Sequence, residues 1–136
     1  MLLAADANAI LQALLGRASL VIETGRVDLA TTVSTLNEVR EHFAAVAGKY
    51  DVPAESLNEG LALLGIKAYG PRKYRAKLVE AERRMGQKDP DDIPLLALAL
   101  TMKVPVWSND RHFQGVGVQR YTTRELLAKL GVSRGR

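Results

Sequence analysis

The stretch Leu2-Leu3-Ala4-Ala5-Asp6-Ala7-Asn8 decides the fold class, because it joins a short apolar run to an acid that can begin a helix. Residues 2–5 predict a buried strand, and the helix that follows should reach about Leu15 and end at Gly16. Similar alternations of strand and helix return along the chain, and they predict a parallel sheet with right-handed crossovers. We therefore expect an α/β protein with three layers, α/β/α, around a central parallel sheet.

The remaining elements follow from two signals, which are β-branched or apolar runs for strands and amphipathic spacing for helices. The predicted strands lie at 27–34, 65–69, 104–107 and 118–121. The predicted helices lie at 17–23, 35–47, 53–64, 71–86, 90–102 and 122–131, and the helix at 35–47 opens with the capping-box sequence Thr35-Leu36-Asn37-Glu38. The chain has 136 residues and no linker or low-complexity tract, which predicts one domain spanning 1–136.

Composition limits the class of protein. The chain is 47% hydrophobic and 25% charged, which suits a folded domain with a real core. It has no cysteine, so disulfides and thiolate metal sites are excluded, and a reducing compartment would suit it. No apolar run approaches the roughly 18 residues of a membrane span, and the N-terminus lacks the basic region of a signal peptide. We therefore expect a cytoplasmic protein that has no membrane partner.

Four acids occupy comparable positions along the chain. Asp6 and Asp110 each follow a predicted strand, whereas Glu38 and Asp92 lie where helices are predicted to begin. In an open parallel sheet such positions lie outside the carboxyl ends of the strands, where ligands bind. Like charges gathered there would repel one another, and Mg²⁺ and Mn²⁺ prefer oxygen ligands. The sequence therefore predicts a Mg²⁺ or Mn²⁺ site formed by Asp6, Glu38, Asp92 and Asp110.

Each of these acids also has a purely structural explanation. Asp6 and Asp110 could cap local turns or helices. Glu38 could be only the partner of Thr35 in a capping box, and Asp92 could complement the dipole of a helix N-terminus. Four chain segments that each place an acid at the same predicted sheet edge favour a shared site over four independent caps.

Other catalytic chemistries have little support in the sequence. His42 and His112 do not have the spacing of a pair of nitrogen ligands for a metal. The chain contains neither a Gly-x-Ser-x-Gly nucleophile motif nor a Gly-x-x-x-x-Gly-Lys phosphate loop. A phospho-acceptor receiver domain would need an acid pair after the first strand, where this chain has Ala5-Asp6. These exclusions leave metal-assisted hydrolysis as the favoured chemistry.

Positive charge is concentrated in two segments. The net charge is +4, with seven basic and two acidic residues at 72–88 and six basic residues and one acid at 111–136. An acidic centre flanked by basic surface suits an enzyme that acts on a polyphosphate, although a basic run can also be only a solvated helix face. Phosphates of RNA could be contacted by Arg72, Lys73, Arg75 and Lys77.

Four segments together resemble the successive motifs of the PIN domain family. They are 6–11, 35–39, 89–99 and 106–113, in matching order and spacing, so the resemblance covers essentially the whole chain. It implies a Mg²⁺- or Mn²⁺-dependent nuclease, usually a ribonuclease, with a parallel sheet flanked by helices. By motif position the acidic quartet is Asp6, Glu38, Asp92 and Asp110, and the supporting polar residues are Asn8 and Ser108. Asp91 adjoins Asp92 and is the alternative metal ligand of that motif.

The resemblance also bears on partners. Small PIN proteins of this length resemble VapC toxins, which act on RNA, pair with a small antitoxin protein and form homodimers. Our first hypothesis is therefore a metal-dependent endoribonuclease in which Asp6, Glu38 and Asp92 hold the ion and Asp110 completes the site. The alternative is a PIN-like module that binds RNA or a protein without cleaving. The intact quartet favours the enzyme, because a protein freed from catalysis could replace acids that repel one another.

Overall fold

A five-stranded parallel sheet forms the centre of the protein. The structure is a computed structural model that describes residues 1–86 and 89–132. The strands are β1 Leu2–Ala5, β2 Asp28–Thr32, β3 Lys67–Tyr69, β4 Val106–Trp107 and β5 Arg120–Tyr121, in the spatial order β3-β2-β1-β4-β5. All four pairings are parallel, so every strand ends at the same edge. The crossovers change direction between β1 and β4, which is where open α/β sheets bind ligands.

Helices cover both faces of this sheet. The α-helices of the described residues are α1 Ala7–Leu14, α2 Ser19–Glu23, α3 Val33–Glu41, α4 Phe43–Tyr50, α5 Ala54–Leu63, α6 Pro71–Tyr74, α7 Leu78–Met85, α8 Ile93–Met102 and α9 Thr123–Lys129. Short 3₁₀ turns lie at Arg75–Lys77, Pro90–Asp92 and Arg111–Phe113. Nowhere in the described ranges is there a helix with both the length and the apolar character needed to cross a membrane.

Two hydrophobic cores lie between the sheet and the helices, one on each face of the sheet. Leu3 and Ala5 of β1 face a core shared with α1, α3, α5 and α9, whereas Ala4 faces a second core built largely from α7 and α8. This alternation is the two-residue period of a strand that is buried on both faces. The predicted α/β/α architecture with a central parallel sheet is confirmed.

The junction between β2 and α3 differs from the prediction. The strand predicted at 27–34 ends at Thr32, whose side-chain hydroxyl accepts a hydrogen bond from Thr35 N at 2.9 Å and caps α3. The predicted capping box of Thr35 and Glu38 is therefore wrong, and Glu38 lies within α3 instead of at its start. The cap was misplaced because Thr32 and Thr35 have the same side chain, and only the backbone selects the capping residue.

Three predicted helices are interrupted, and the first of them, at 35–47, is divided at His42 into α3 and α4. The helix predicted at 71–86 is divided into α6, a 3₁₀ turn and α7, and the helix predicted at 90–102 begins with the 3₁₀ turn Pro90–Asp92. Pro94 explains the interruption at 90–102, because proline has no N–H to donate to the carbonyl four residues earlier. The carbonyl of Pro90 instead accepts a 3₁₀ bond from Ile93 N. This tight turn sets the direction of the acids at 89–92.

The cap at Thr32 gives a stability prediction. Replacing Thr32 with Val keeps the shape of the buried side chain but removes the hydroxyl that accepts from Thr35 N. We expect a loss of about 1–2 kcal/mol in the free energy of unfolding, measured by urea denaturation. Thr101→Val is the matched control, since among the described residues the Thr101 hydroxyl bonds only to the Ala97 carbonyl of its own helix, at 2.8 Å. Equal losses in both variants would contradict the cap.

Candidate functional site

Asp6 lies at the point where β1 becomes α1. Its Oδ1 accepts a hydrogen bond from Ala9 N at 2.8 Å, and its Oδ2 accepts one from the hydroxyl of Ser108. The side chain therefore caps α1 and is also tied to the end of β4. Burial raises the pKa of the Asp6 carboxyl, and the two hydrogen bonds only partly oppose this rise. Repulsion from Asp110 adds to it, which places the two acids within electrostatic range of each other.

The loop after β4 carries the fourth predicted acid. The buried Ser108 hydroxyl accepts a hydrogen bond from Asp110 N at 2.9 Å while it donates to Asp6. Asp110 Oδ1 in turn accepts from His112 N at 2.9 Å and caps the 3₁₀ turn Arg111–Phe113. A continuous series of hydrogen bonds therefore fixes Asp6, Ser108, Asp110 and the backbone of His112 relative to one another.

Asn109 fastens the same loop to the helices beside it. Its side-chain oxygen accepts from Thr123 N at 2.9 Å, and its side-chain nitrogen donates to Gln12 Oε1 at 3.2 Å. The loop is thus held by α1 and by the start of α9. Because both contacts are made by the residue next to Asp110, they restrict where that carboxylate can point.

Asp89 and Asp92 reach the same point from the turn before α8. Asp89 Oδ1 accepts from Asp91 N at 3.0 Å and caps this turn. One ligand-type atom from each of four residues lies within 4.8 Å of the other three, and these residues are Asp89, Asp92, Asp110 and His112. We call this group the acidic cluster. Asp91 is exposed and outside it, so between the two adjacent acids the structure places Asp92 in the cluster.

His112 was not predicted as part of the site. Its Nδ1 lies 3.2 Å from Asp110 Oδ1, 3.5 Å from Asp92 Oδ2 and 3.8 Å from Asp89 Oδ2. Both Asp92 Oδ2 and His112 Nδ1 are buried, and neither has a hydrogen-bond partner among the described residues. The available sequence signal was the position of His112 two residues after Asp110. Asp89 was also not predicted as a member of the cluster.

Repulsion makes the acidic cluster unfavourable without a cation. The pKa of Asp92 is raised from 3.8 to about 7, first by burial and then by the charge of Asp89, with smaller contributions from Asp6 and Asp110. The imidazole of His112 opposes this rise, although their contact lacks hydrogen-bond geometry. The contact is therefore electrostatic, and it leaves both polar atoms unsatisfied.

Glu38 lies beside the acidic cluster instead of within it. With Asp91, Asp92 and His42 it lines an open groove of about 580 Å³ that runs between α3 and the turn before α8. Burial raises the pKa of Glu38, and repulsion from Asp91 is the next cause, followed by weaker effects of Asp89 and Asp6. The four predicted acids thus share one electrostatic environment, but only Asp92 and Asp110 belong to the close group of four.

Asn8 lies in the first turn of α1, close in sequence to Asp6. It is exposed, and within the described residues its side chain makes no hydrogen bond that ties it to Asp6 or Ser108. Its supporting role remains a prediction, whereas Ser108 touches Asp6 directly.

The basic segment begins at the same edge of the sheet. Gly70 links the end of β3 to α6, so Arg72 and Lys73 follow a strand in the way that Asp6 follows β1. Arg72, Lys73 and Arg75 are exposed, and the ammonium of Lys73 lies 5.4 Å from the centre of the Tyr69 ring. Lys77 is partly engaged by Glu80 at 3.7 Å. Three other basic residues of the two positive segments lie outside the described residues, namely Lys88, Arg134 and Arg136.

The raised pKa of Asp92 gives a pH prediction for the protein kept free of metal with a chelator. The stability that comes from the neutral carboxyl is complete below pH 3.8 and is lost as the pH rises through about 7. Asp92→Asn should therefore match the wild type near pH 4 and exceed it at pH 8, by on the order of 2 kcal/mol.

Urea denaturation at several pH values measures this difference. Asp28→Asn is the control, because Asp28 is exposed at the amino end of β2, the opposite edge of the sheet. A gain for Asp92→Asn that does not grow between pH 4 and pH 8 would show that folding does not raise the pKa of Asp92.

Comparison with known proteins identifies the family. The family model for the PIN domain matches residues 5–131. Among solved structures, the fold is similar to that of VapBC2 from Rickettsia felis bound to a DNA fragment from their promoter, with a TM-score of 0.65 and 12% identity over 90% of this chain and 98% of that chain. At this identity the likeness shows the fold alone. The search of curated proteins found no match. The extent of the family match shows that the chain belongs to the PIN domain family.

Proposed function

We propose that this protein is a divalent-metal-dependent endoribonuclease. The observation that carries the proposal is the acidic cluster, in which Asp92 Oδ2 and His112 Nδ1 are buried without hydrogen bonds beside two further carboxylates. Buried polar atoms are normally satisfied, so unsatisfied ones that converge point to a missing partner. Three carboxylates at that point call for a cation. Membership of the PIN domain family supports a nuclease.

The three carboxylates of the acidic cluster suit a hard divalent ion. Around an octahedral ion with bonds of about 2.1 Å, ligand atoms lie about 3–4 Å apart, and the four donor atoms of the acidic cluster lie within 4.8 Å of one another. We propose that Asp92 and Asp110 are ligands of this ion and that Asp89 is a further ligand. Asp6 accepts one hydrogen bond on each oxygen, which leaves further lone pairs on the carboxylate for the same ion. When bound, Mg²⁺ or Mn²⁺ would lower the pKa of a water and stabilise charge on the phosphoryl oxygens.

The chain's own groups would position the reaction around that ion. Ser108 holds the Asp6 carboxylate and the backbone of Asp110 through a single hydroxyl, so it acts as a positioning residue. Glu38 lines the groove, and burial and Asp91 raise its pKa. A carboxylate with a raised pKa is a better proton acceptor near neutral pH. We propose that Glu38 faces the attacking water or the ion from the wall of the groove.

RNA is the proposed substrate because of the charges around the groove. Metal binding would remove the repulsion that the acids exert on a phosphate, and Arg72, Lys73 and Arg75 are exposed on a segment that begins at the same sheet edge. Contacts of this kind hold the phosphate backbone and set its register without reading the sequence. Lys77 would contribute once released from Glu80.

A toxin role is proposed on the likeness to VapBC2. In that case a small antitoxin protein would pair with this chain, two copies of the chain would form a homodimer, and the nuclease would act in the cytoplasm. Co-expression with the product of a small adjacent reading frame would test the pairing, because a cognate antitoxin should co-purify and suppress cleavage.

Loss of single acids should abolish cleavage. Asp6→Asn and Asp92→Asn should each remove metal-dependent cleavage of a panel of RNA oligonucleotides, while both proteins stay folded. Wild-type protein should also gain melting temperature with Mn²⁺ by mass action, and the two variants should gain less. Asp28→Asn, at the opposite edge of the sheet, should behave as wild type.

The same assay separates this proposal from the alternative of a binding module. If the wild type binds RNA but releases no fragments with either Mg²⁺ or Mn²⁺, the enzyme assignment is wrong. If all four proteins gain equally in melting temperature, Asp6 and Asp92 are not ligands.

The basic segment should determine the salt dependence of RNA binding. Replacing Arg72, Lys73, Arg75 and Lys77 with Gln should weaken binding and flatten the plot of log K against log salt concentration. The expected change is roughly 0.7 of a slope unit for each phosphate of single-stranded RNA that the variant no longer neutralises. Metal binding should be unchanged, since none of the four can ligate a cation.

A matched control replaces exposed lysines at the other edge of the sheet. Lys67 begins β3 and Lys103 precedes β4, so Gln at these two positions should leave the slope almost unchanged. An unchanged slope in the four-residue variant, together with an altered oligomeric state or antitoxin affinity, would assign the basic segment to protein docking instead.

A further inference from the structure

One member of the acidic cluster is not an acid. His112 Nδ1 points at three carboxylates, and the distances of 3.2, 3.5 and 3.8 Å to Asp110, Asp92 and Asp89 are of the size found between atoms that share an ion. A set of carboxylates alone suits Mg²⁺, whereas an imidazole nitrogen suits later first-row metals. The identity of this fourth donor therefore decides which cations the site prefers.

The position of the nitrogen is fixed by its neighbours. His112 N donates to Asp110 Oδ1 at 2.9 Å, and the next residue, Phe113, is fully buried in the core beneath α8. The side chain as a whole is 36% exposed, but Nδ1 itself is buried. The 3₁₀ turn Arg111–Phe113 thus aims one ring nitrogen into the acidic cluster while the rest of the ring reaches solvent.

The other histidine of the chain shows what a satisfied imidazole looks like here. His42 also lies beside the groove, but its Nδ1 is 2.8 Å from the carbonyl oxygen of Glu38 and has a hydrogen-bond partner. His112 Nδ1 has no such partner among the described residues. Unlike the ring of His42, the ring of His112 is therefore not held in position by a hydrogen bond to Nδ1.

We propose that His112 Nδ1 is a metal ligand together with Asp89, Asp92 and Asp110, and that it gives the site a preference for Co²⁺ and Ni²⁺ over Mg²⁺. The inference rests on the proposed cation site, but it concerns the nitrogen and not the cleavage of RNA. Nitrogen donors strengthen binding most for the metals that stand late in the Irving–Williams order. A charge partner would act differently, since a protonated imidazole would only neutralise the carboxylates and could not bind a metal.

The test compares metal affinities of the whole protein by isothermal titration calorimetry with Mg²⁺, Co²⁺ and Ni²⁺. His112→Asn replaces Nδ1 with an amide oxygen at the same number of bonds from the backbone, so an oxygen donor takes the place of a nitrogen donor. Removing an outer neighbour of a ligand already costs about 10–100-fold in metal affinity. We therefore expect His112→Asn to lose at least about tenfold for Co²⁺ and Ni²⁺ and less than about threefold for Mg²⁺.

Two further measurements keep the proposal falsifiable. Asp28→Asn, at the opposite edge of the sheet, is the control and should keep wild-type affinity for all three ions. In the wild-type protein with Co²⁺, the carbon-bound ring protons of a ligating imidazole should appear as strongly shifted resonances that do not exchange with water, and this measurement needs no variant to fold.

The outcomes distinguish this inference from the proposed function. Equal losses for all three ions in His112→Asn, or no shifted resonance from the His112 ring, would overturn the ligand assignment even if the protein cleaves RNA. A shifted resonance and selective loss of Co²⁺ and Ni²⁺ would establish the ligand even if no RNA is cleaved.

Discussion

The hydrogen bond from the Ser108 hydroxyl to Asp6 is the interaction on which the site depends. It joins the carboxyl ends of β1 and β4, the two strands between which the crossovers change direction. The same hydroxyl accepts from Asp110 N, so one buried oxygen sets the relation between two acids and the turn that carries His112. The pairing of the strands and the Ser108 side chain thus bring together Ser108 and Asp6, which are 102 residues apart in sequence.

The arrangement of these acids lowers the stability of the metal-free protein and favours the binding of a cation. Asp6, Glu38 and Asp92 all have raised pKa values, and burial is the largest cause in each case. A fold selected only for stability would place these carboxylates in water or pair each with a base. The protein instead keeps them together, and the free energy lost to desolvation and repulsion would be recovered when a cation binds. Caps at Asp6, Asp89 and Asp110 hold the acids in place without neutralising them.

Much of this could be predicted from sequence because the signals are local. The spacing of hydrophobic residues and short motifs predict five strands and the order of the elements. They also predict the last helix, which Thr122 and Glu125 open. The structure has all of these features. The cap at Thr32 was mispredicted because two threonines three residues apart both satisfy the local rule, and the pairing of β2 with β1 decides between them. The break in the helix at 90–102 has a local cause, Pro94, that periodicity does not detect.

The composition of the acidic cluster lay beyond such rules, since it depends on where separate turns meet. Asp89 and His112 belong to different 3₁₀ turns, and a 3₁₀ turn directs its side chains differently from an α-helix. Sequence spacing gave His112 no partner nitrogen, which argued against a site built from two histidines but did not address one histidine among acids. Asp92 illustrates the general case, because its proximity to Asp89 is local whereas its contact with His112 requires the sheet to bring the end of β4 beside the start of α8. Asp92 and Asp110 could be predicted because each belongs to a recognisable motif, whereas Asp89 and His112 became identifiable as members of the acidic cluster only once the topology was known.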